Sequence, residues 1–128
     1  MDKIIVVPLV QVGSIPFGSS RTLVRNTFGN FNEQKKSVLS KNTMDDFGFC
    51  HVFYDEGNKC EAFEFFPEIE VEIDDEVIFP GNVDSVVGKV GGFDTEDCIY
   101  INSEKSIGIS AKDGIMESIL FARKGYYR

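Results

Sequence analysis

From Pro67 to Glu76 the chain reads PEIEVEIDDE, so that Ile69, Val71 and Ile73 alternate with Glu68, Glu70, Glu72 and Asp74. A period of two predicts a strand with an apolar side on a core and an acidic side toward solvent. Neighbouring carboxylates on that side would stand roughly 7 Å apart, twice the rise per residue of a strand. No Lys or Arg interrupts the row. Two roles fit it: a solvated face that deters edge-to-edge pairing, or a surface that docks a basic protein. The second role assigns Glu68, Glu70, Glu72, Asp74, Asp75 and Glu76 to a partner surface, joined by Asp55 and Glu56 if their turn lies nearby.

Elsewhere the pattern predicts a strand over Lys3 to Val12, which Pro8 either confines to a sheet edge or breaks. A short helix follows Ser19-Ser20, where either serine can cap it, and Gly29 can end it in the left-handed conformation. Leu23, Val24, Thr27 and Phe28 would share one helix face. Asn32 to Asn42 reads as a polar strand and Thr43 to Gly48 as a loop. Phe49 to Asp55 and Cys60 to Phe66 flank Glu56-Gly57-Asn58-Lys59 as a hairpin, with Cys60 opposite Asp55 and with Phe63 and Phe65 on one face. Asp74-Asp75-Glu76 forms a turn, and consecutive strands usually pair, so the acidic strand is expected beside Cys60–Phe66.

Val77 to Phe93 then repeats Ile15 to Phe31 at an offset of 62: Phe17 meets Phe79, Val24 meets Val86, Gly29 meets Gly91 and Phe31 meets Phe93. Asn82 takes the capping place of Ser20. Strands are expected at Cys98–Asn102, Ser106–Ala111 and Ile115–Ala122, and Cys60-Glu61-Ala62-Phe63 resembles Met116-Glu117-Ser118-Ile119 at an offset of 56. The expectation is therefore one α+β domain over residues 1–128, with pseudo-repeat halves at 15–66 and 77–122. Its core would be an antiparallel sheet of roughly six to eight strands with two short helices on one face.

Net charge is −8, with twelve Phe and no Trp among 128 residues. Direct binding to nucleic acid requires a basic footprint, and an anionic membrane surface repels such a chain, so basic proteins are its electrostatic partners. Arg123, Lys124 and Arg128 make only a small basic end, where Tyr126 and Tyr127 would seal the sheet. No signal peptide or membrane span is expected. Cys50, Cys60 and Cys98 are odd in number and lack C-x-x-C spacing, which reads as reduced thiols in a cytoplasmic chain. His51 is the only His, and no zinc, calcium-loop, P-loop or nucleophile-elbow spacing accompanies it. These readings predict a metal-free, cofactor-free binding protein, not an enzyme, monomeric and engaging its partner one-to-one.

The motif IPFGSSRTLVRNTFG at 15–29 resembles the I-x-F-G-M-S-x-x-x-V-x-x-x-L-G unit of β-lactamase-inhibitor-like modules and of the small lipoprotein of the outer-membrane assembly machine. Those units pair a helical segment with an antiparallel sheet. Here Gly18-Ser19 replaces the common Gly-Met, and the export signal or lipobox of those relatives has no counterpart. As a whole the acidic chain, with FGSSRTLVRNTFG, HVFYDEGNKCEAFEFF and SILFARKGYY, resembles the immunity proteins of bacterial polymorphic toxins, in particular those of contact-dependent growth inhibition. That resemblance implies a cytoplasmic inhibitor of a toxin domain, often a nuclease, with no catalytic residues of its own. The alternatives are a small-ligand-binding domain with a Phe-lined pocket and a binding module of the β-lactamase-inhibitor kind.

Overall fold

The apolar run at the N-terminus forms two strands, not one. Pro8 cannot donate a ladder hydrogen bond, and Leu9 takes a positive φ of 69°, so the chain reverses between β1 (Lys3–Val7) and β2 (Gln11–Val12). The computed structural model describes residues 2–35, 37–39 and 42–127. After β3 (Ile15–Pro16) come α1 (Arg21–Phe28), β4 (Asn32–Lys35), β5 (Thr43–Asp46), β6 (Cys50–Tyr54) and β7 (Cys60–Phe65). Then follow β8 (Glu70–Ile73), β9 (Glu76–Phe79), α2 (Asp84–Val90), β10 (Asp94–Glu96), β11 (Ile99–Asn102), β12 (Ile107–Lys112) and β13 (Ile115–Ala122). Lys36, Ser40 and Lys41 of the expected 32–42 strand, and Arg128 of the basic end, lie outside the described residues.

The fold is α+β and mostly sheet. An eight-stranded antiparallel sheet has the order β10-β11-β12-β13-β7-β6-β5-β4, and a second, five-stranded sheet has the order β3-β2-β1-β8-β9. The second sheet corrects the expectation that the acidic strand lies beside Cys60–Phe66. β8 instead pairs in parallel with β1 and antiparallel with β9. Its apolar side fits an N-terminal strand distant in sequence, and adjacency in the chain carries no information about that. Both helices and both sheets contribute to one core, in which Val24, Val86, Val6 and Val71 join Phe63, Phe65, Ile109, Ile119 and Phe121.

α1 forms as its caps require. Ser20 Oγ accepts the Leu23 N–H at 3.1 Å, and Gly29, at φ 91°, donates its N–H to the Arg25 carbonyl at 2.9 Å. Its ψ of −133° places Gly29 outside the left-handed helical region, in a conformation that also favours glycine. Val24 is buried and Phe28 packs edge-on against Phe47, Phe49 and Phe63, whereas Leu23 and Thr27 are exposed. The helix face is thus narrower than the spacing suggests. In the second half Asn82 does not take the N-cap place expected of it: α2 starts one residue later in the repeat, Val83 stands at its N-cap without a side-chain bond, and Asn82 Oδ1 accepts the Asp84 N–H at 2.9 Å from the turn before it.

The two halves share their backbone bonds. Arg21 N–H donates to Asn58 O and Val83 N–H to Gly114 O; Cys60 N–H donates to Ser19 O and Met116 N–H to Gly81 O. These pairs are related by the offsets of 62 before the hairpins and 56 within them. Both hairpins also carry a bulge, at Phe53/Tyr54 and at Ser110/Ala111, which leaves Glu61 and Glu117 as the extra residues. The first bulge is why Cys60 stands opposite Tyr54 and not Asp55. Sheet order mirrors about the β7–β13 seam, where Phe65 faces Ile119 and Phe63 faces Phe121.

Thr43 to Asp46, read as loop, is strand β5, with Met44 and Asp45 buried. Its acids gave no apolar alternation to read. Asp45 is instead held by charge. Arg25 donates Nε and Nη2 to its two oxygens at 2.8 Å each, Arg21 Nη1 donates at 3.3 Å and the Tyr54 hydroxyl at 2.8 Å. The Arg21 guanidinium also stacks 4.0 Å over the Tyr54 ring. These contacts raise the Arg25 pKa, the Asp45 hydrogen bond foremost, and burial followed by Asp45 raises that of Tyr54.

Candidate functional site

The alternation in PEIEVEIDDE sets the side-chain directions of β8 correctly. Ile69, Val71 and Ile73 are buried, and Glu68, Glu70, Asp74, Asp75 and Glu76 are exposed. Asp74 and Asp75 take positive φ values of 50° and 66° in the turn, as in the primed hairpin turns, while Glu76 already belongs to β9.

The acids do not form one open row. Glu72 is buried, because its cross-strand neighbours Ile5 and Val77 flank it and Lys3 Nζ pairs with Oε1 at 3.0 Å. The lysine absent from the segment itself comes from a different strand. Glu76 pairs with Lys89 at 3.4 Å. Among the described residues Glu68, Glu70, Asp74 and Asp75 carry no ion pair. The outward face of β1, β8 and β9 presents Ile5, Val7 and Val77, each 44–51 % exposed, together with Lys3 and Glu70, while Glu68, Asp74 and Asp75 lie in the turns at the two ends of β8.

Asp55 and Glu56 do not join this face. Their turn belongs to the eight-stranded sheet, between the start of α1 and the end of β13. The six-residue strand β7, roughly 20 Å long, separates that turn from Phe66, where the chain passes toward the second sheet. Asp55 works locally. Oδ1 accepts the Gly57 and Lys59 amides at 2.9 and 3.0 Å, and Oδ2 pairs with Arg123 at 2.9 Å. The Lys59 amide first, then Arg123 and the Gly57 amide, hold its carboxyl below the ordinary aspartate value against an opposing effect of burial. A depressed folded pKa means that the stabilisation is present above the unfolded carboxylate value and lost as pH falls through the folded one. The stability gap between wild type and Asp55→Ala should therefore be widest near neutrality and close on acidification. Urea melts at neutral and strongly acidic pH check this, and a gap that widens in acid contradicts it.

Cys50 and His51 point to opposite faces of β6. The buried Cys50 thiol is pushed up in pKa, foremost by burial, while His51 lies outward, 3.5 Å from Asp46 and edge-on to Phe66. Cys60 is also a buried free thiol, and Cys98 an exposed one. Among the described residues no group of three His, Cys, Asp or Glu side chains converges as a metal site, and no helix is long and apolar enough to cross a membrane.

Two concavities bear on binding. A cleft of about 510 Å³ between the β1–β2 hairpin and α1 is lined by Lys3, Ile4, Ile5, Gln11, Thr27 and Phe28 among others. A groove of about 410 Å³ at the β10 edge is lined by Asp94, Thr95, Glu96, Asp97, Ile99 and Ile101. The acids of this second groove escaped the sequence reading, although the offset of 62 places Asp94 and Glu96 on Asn32 and Gln34. On the same face of the sheet, beyond Ile99 and Ile101, Tyr127 lies over Gly108, so close that a Cβ there would collide with its hydroxyl. Comparison with protein-family models, curated proteins and solved structures finds no match to this chain.

Proposed function

We propose that the protein is a stoichiometric inhibitor that binds a basic toxin domain, a nuclease, one-to-one in the bacterial cytoplasm, as the immunity proteins of contact-dependent growth inhibition do. The observation that carries this reading is the outward face of β1, β8 and β9. There exposed Ile5, Val7 and Val77 lie with Glu70, and with Glu68, Asp74 and Asp75 in the turns at the ends of β8, on a chain of net charge −8; Lys3 on the same face is taken up by Glu72. Nucleases present basic surfaces to phosphate. An acidic inhibitor complements them with fast, salt-sensitive association. Apolar burial at the centre of such a face supplies affinity, and the acids supply steering and register.

The test uses the partner recovered by affinity capture from the native lysate and then purified. Glu68→Lys with Glu70→Lys replaces two exposed acids and spares the Glu72–Lys3 pair. The double variant should bind about 10–100-fold more weakly at low salt, because like charges then meet across the interface. Its salt dependence should flatten and its melting temperature should stay near that of wild type. Unchanged affinity would remove this face from the interface. A small molecule as the stoichiometric companion, with binding indifferent to salt, would favour the ligand-binding alternative and its cleft beside Ile4 and Phe28.

A further inference from the structure

The eight-stranded sheet has two edges that the repeat makes equivalent, and they differ in charge. Asn32 stands opposite Asp46 on the first edge as Asp94 stands opposite Ile101 on the second, and Gln34 faces Met44 as Glu96 faces Ile99. Two amides on β4 thus correspond to two carboxylates on β10. The acid that β4 does carry, Glu33, is paired with Arg25 at 2.9 Å and accepts the Thr43 hydroxyl at 2.7 Å; its counterpart is Thr95. The arginines of α1 have no counterpart either, since Val83 and Val87 occupy their places in the second half. Among the described residues Asp94, Glu96 and Asp97 carry no ion pair, and all three are exposed. Beside them Ile99 and Ile101 floor the groove on the face away from the core, with Ile99 44 % exposed.

We infer that the β10 edge and its groove receive an extended segment of a partner protein that carries Arg or Lys at alternate positions. Among the described residues β10 pairs with β11 alone, so its other side offers an edge to an added strand. Residues i and i+2 of that strand stand roughly 7 Å apart on one face, the spacing of Asp94 and Glu96. Long cationic side chains lay their methylenes on Ile99 and Ile101 and bring their charges to the three carboxylates. The acid-for-amide exchange between equivalent edges favours a cationic occupant over an apolar ligand, for which Asn and Gln would serve as well. The identity of the partner as a toxin domain rests on the function proposed above; the groove and the chemistry it selects do not.

The probe is a capped ten-residue peptide of alternating Arg and Thr, titrated into the isotope-labelled protein at two salt concentrations. Amide shifts should localise to residues 94–101, and affinity should fall as salt rises. Asp94→Asn with Glu96→Gln copies the other edge and should weaken binding about tenfold at low salt with an unchanged melting temperature. A peptide of the same composition with its arginines contiguous should bind several-fold more weakly, because only alternate side chains of a strand share a face. Equal binding of the two peptides, shifts centred on β8, or indifference to the double variant would each overturn the inference. So would equal binding of a peptide with Glu in place of Arg, which would mark an apolar site, or a dimer of the protein alone that the double variant abolishes. If the captured toxin domain binds the double variant as tightly as wild type and the peptide too is indifferent to it, the groove falls and the inhibitor reading stands. If the peptide behaves as expected and no toxin domain binds, the reverse holds.

Discussion

Asp45→Ala should cost about 3–5 kcal/mol of stability, the range for removing one partner of a buried ion pair. Asp45 is fully buried and accepts from Arg25 through both oxygens, from Arg21 and from Tyr54. Its removal leaves the Tyr54 hydroxyl without that acceptor and takes from the Arg21 guanidinium, whose side chain is 12 % exposed, its buried carboxylate, although Thr43 and Asn42 still accept from it. Arg25 keeps Glu33, so part of α1 stays tethered and the loss should not abolish folding. Urea denaturation of the single variant gives the cost. A loss under about 1 kcal/mol would mean that water compensates these charges, which their burial contradicts.

Phe65→Ala should lose about 3–5 kcal/mol, the span for truncating a fully buried aromatic. The ring is wholly inaccessible, lies 6.2 Å from that of Phe121, and stands on β7 between Cys50 of β6 and Ile119 of β13. Truncation therefore opens a cavity against both neighbouring strands at the seam of the sheet. Phe65→Leu retains most of the volume and should cost less. A loss under about 1 kcal/mol for the alanine variant would mean that the neighbours collapse into the space, which close packing from two sides opposes.

Local chemistry was legible where a local cause acts. Ser20 and Gly29 bound α1 because caps answer to the orphan N–H and C=O groups beside them. The β6–β7 hairpin followed from alternation on either side of a Gly-Asn turn, and alternation picked out the buried Ile69, Val71 and Ile73 around β8. The second sheet was not legible, since Lys3 and Glu72 meet through a parallel pairing between strands far apart in the sequence. An alternating strand states which side is buried, never what stands beside it. That is why an uninterrupted run of acids proved to contain a buried, paired glutamate. Asp45 and Asp46 read as turn residues for the same reason. The two arginines that bury Asp45 come from α1, and carboxylates are rarely buried without such partners. The acids of the β10 groove were visible in principle, but only by asking where the repeat differs, not where it agrees.

The mirrored order of the large sheet has a consequence for synthesis. β7 lies at its middle, yet the strand that completes it, β13, follows only after a further helix and several strands. On a ribosome adding 5–20 residues per second, roughly 3–11 s pass between release of the two. Through that interval the nascent first half holds one side of β7 open, with Phe63 and Phe65 along it. Because β7 and β13 are equivalent in the repeat, the open side of one nascent chain is also a near-match for that of its neighbour on the same message. Cotranslational pairing between neighbours competes with the native seam, and the outcome depends on how closely ribosomes follow one another.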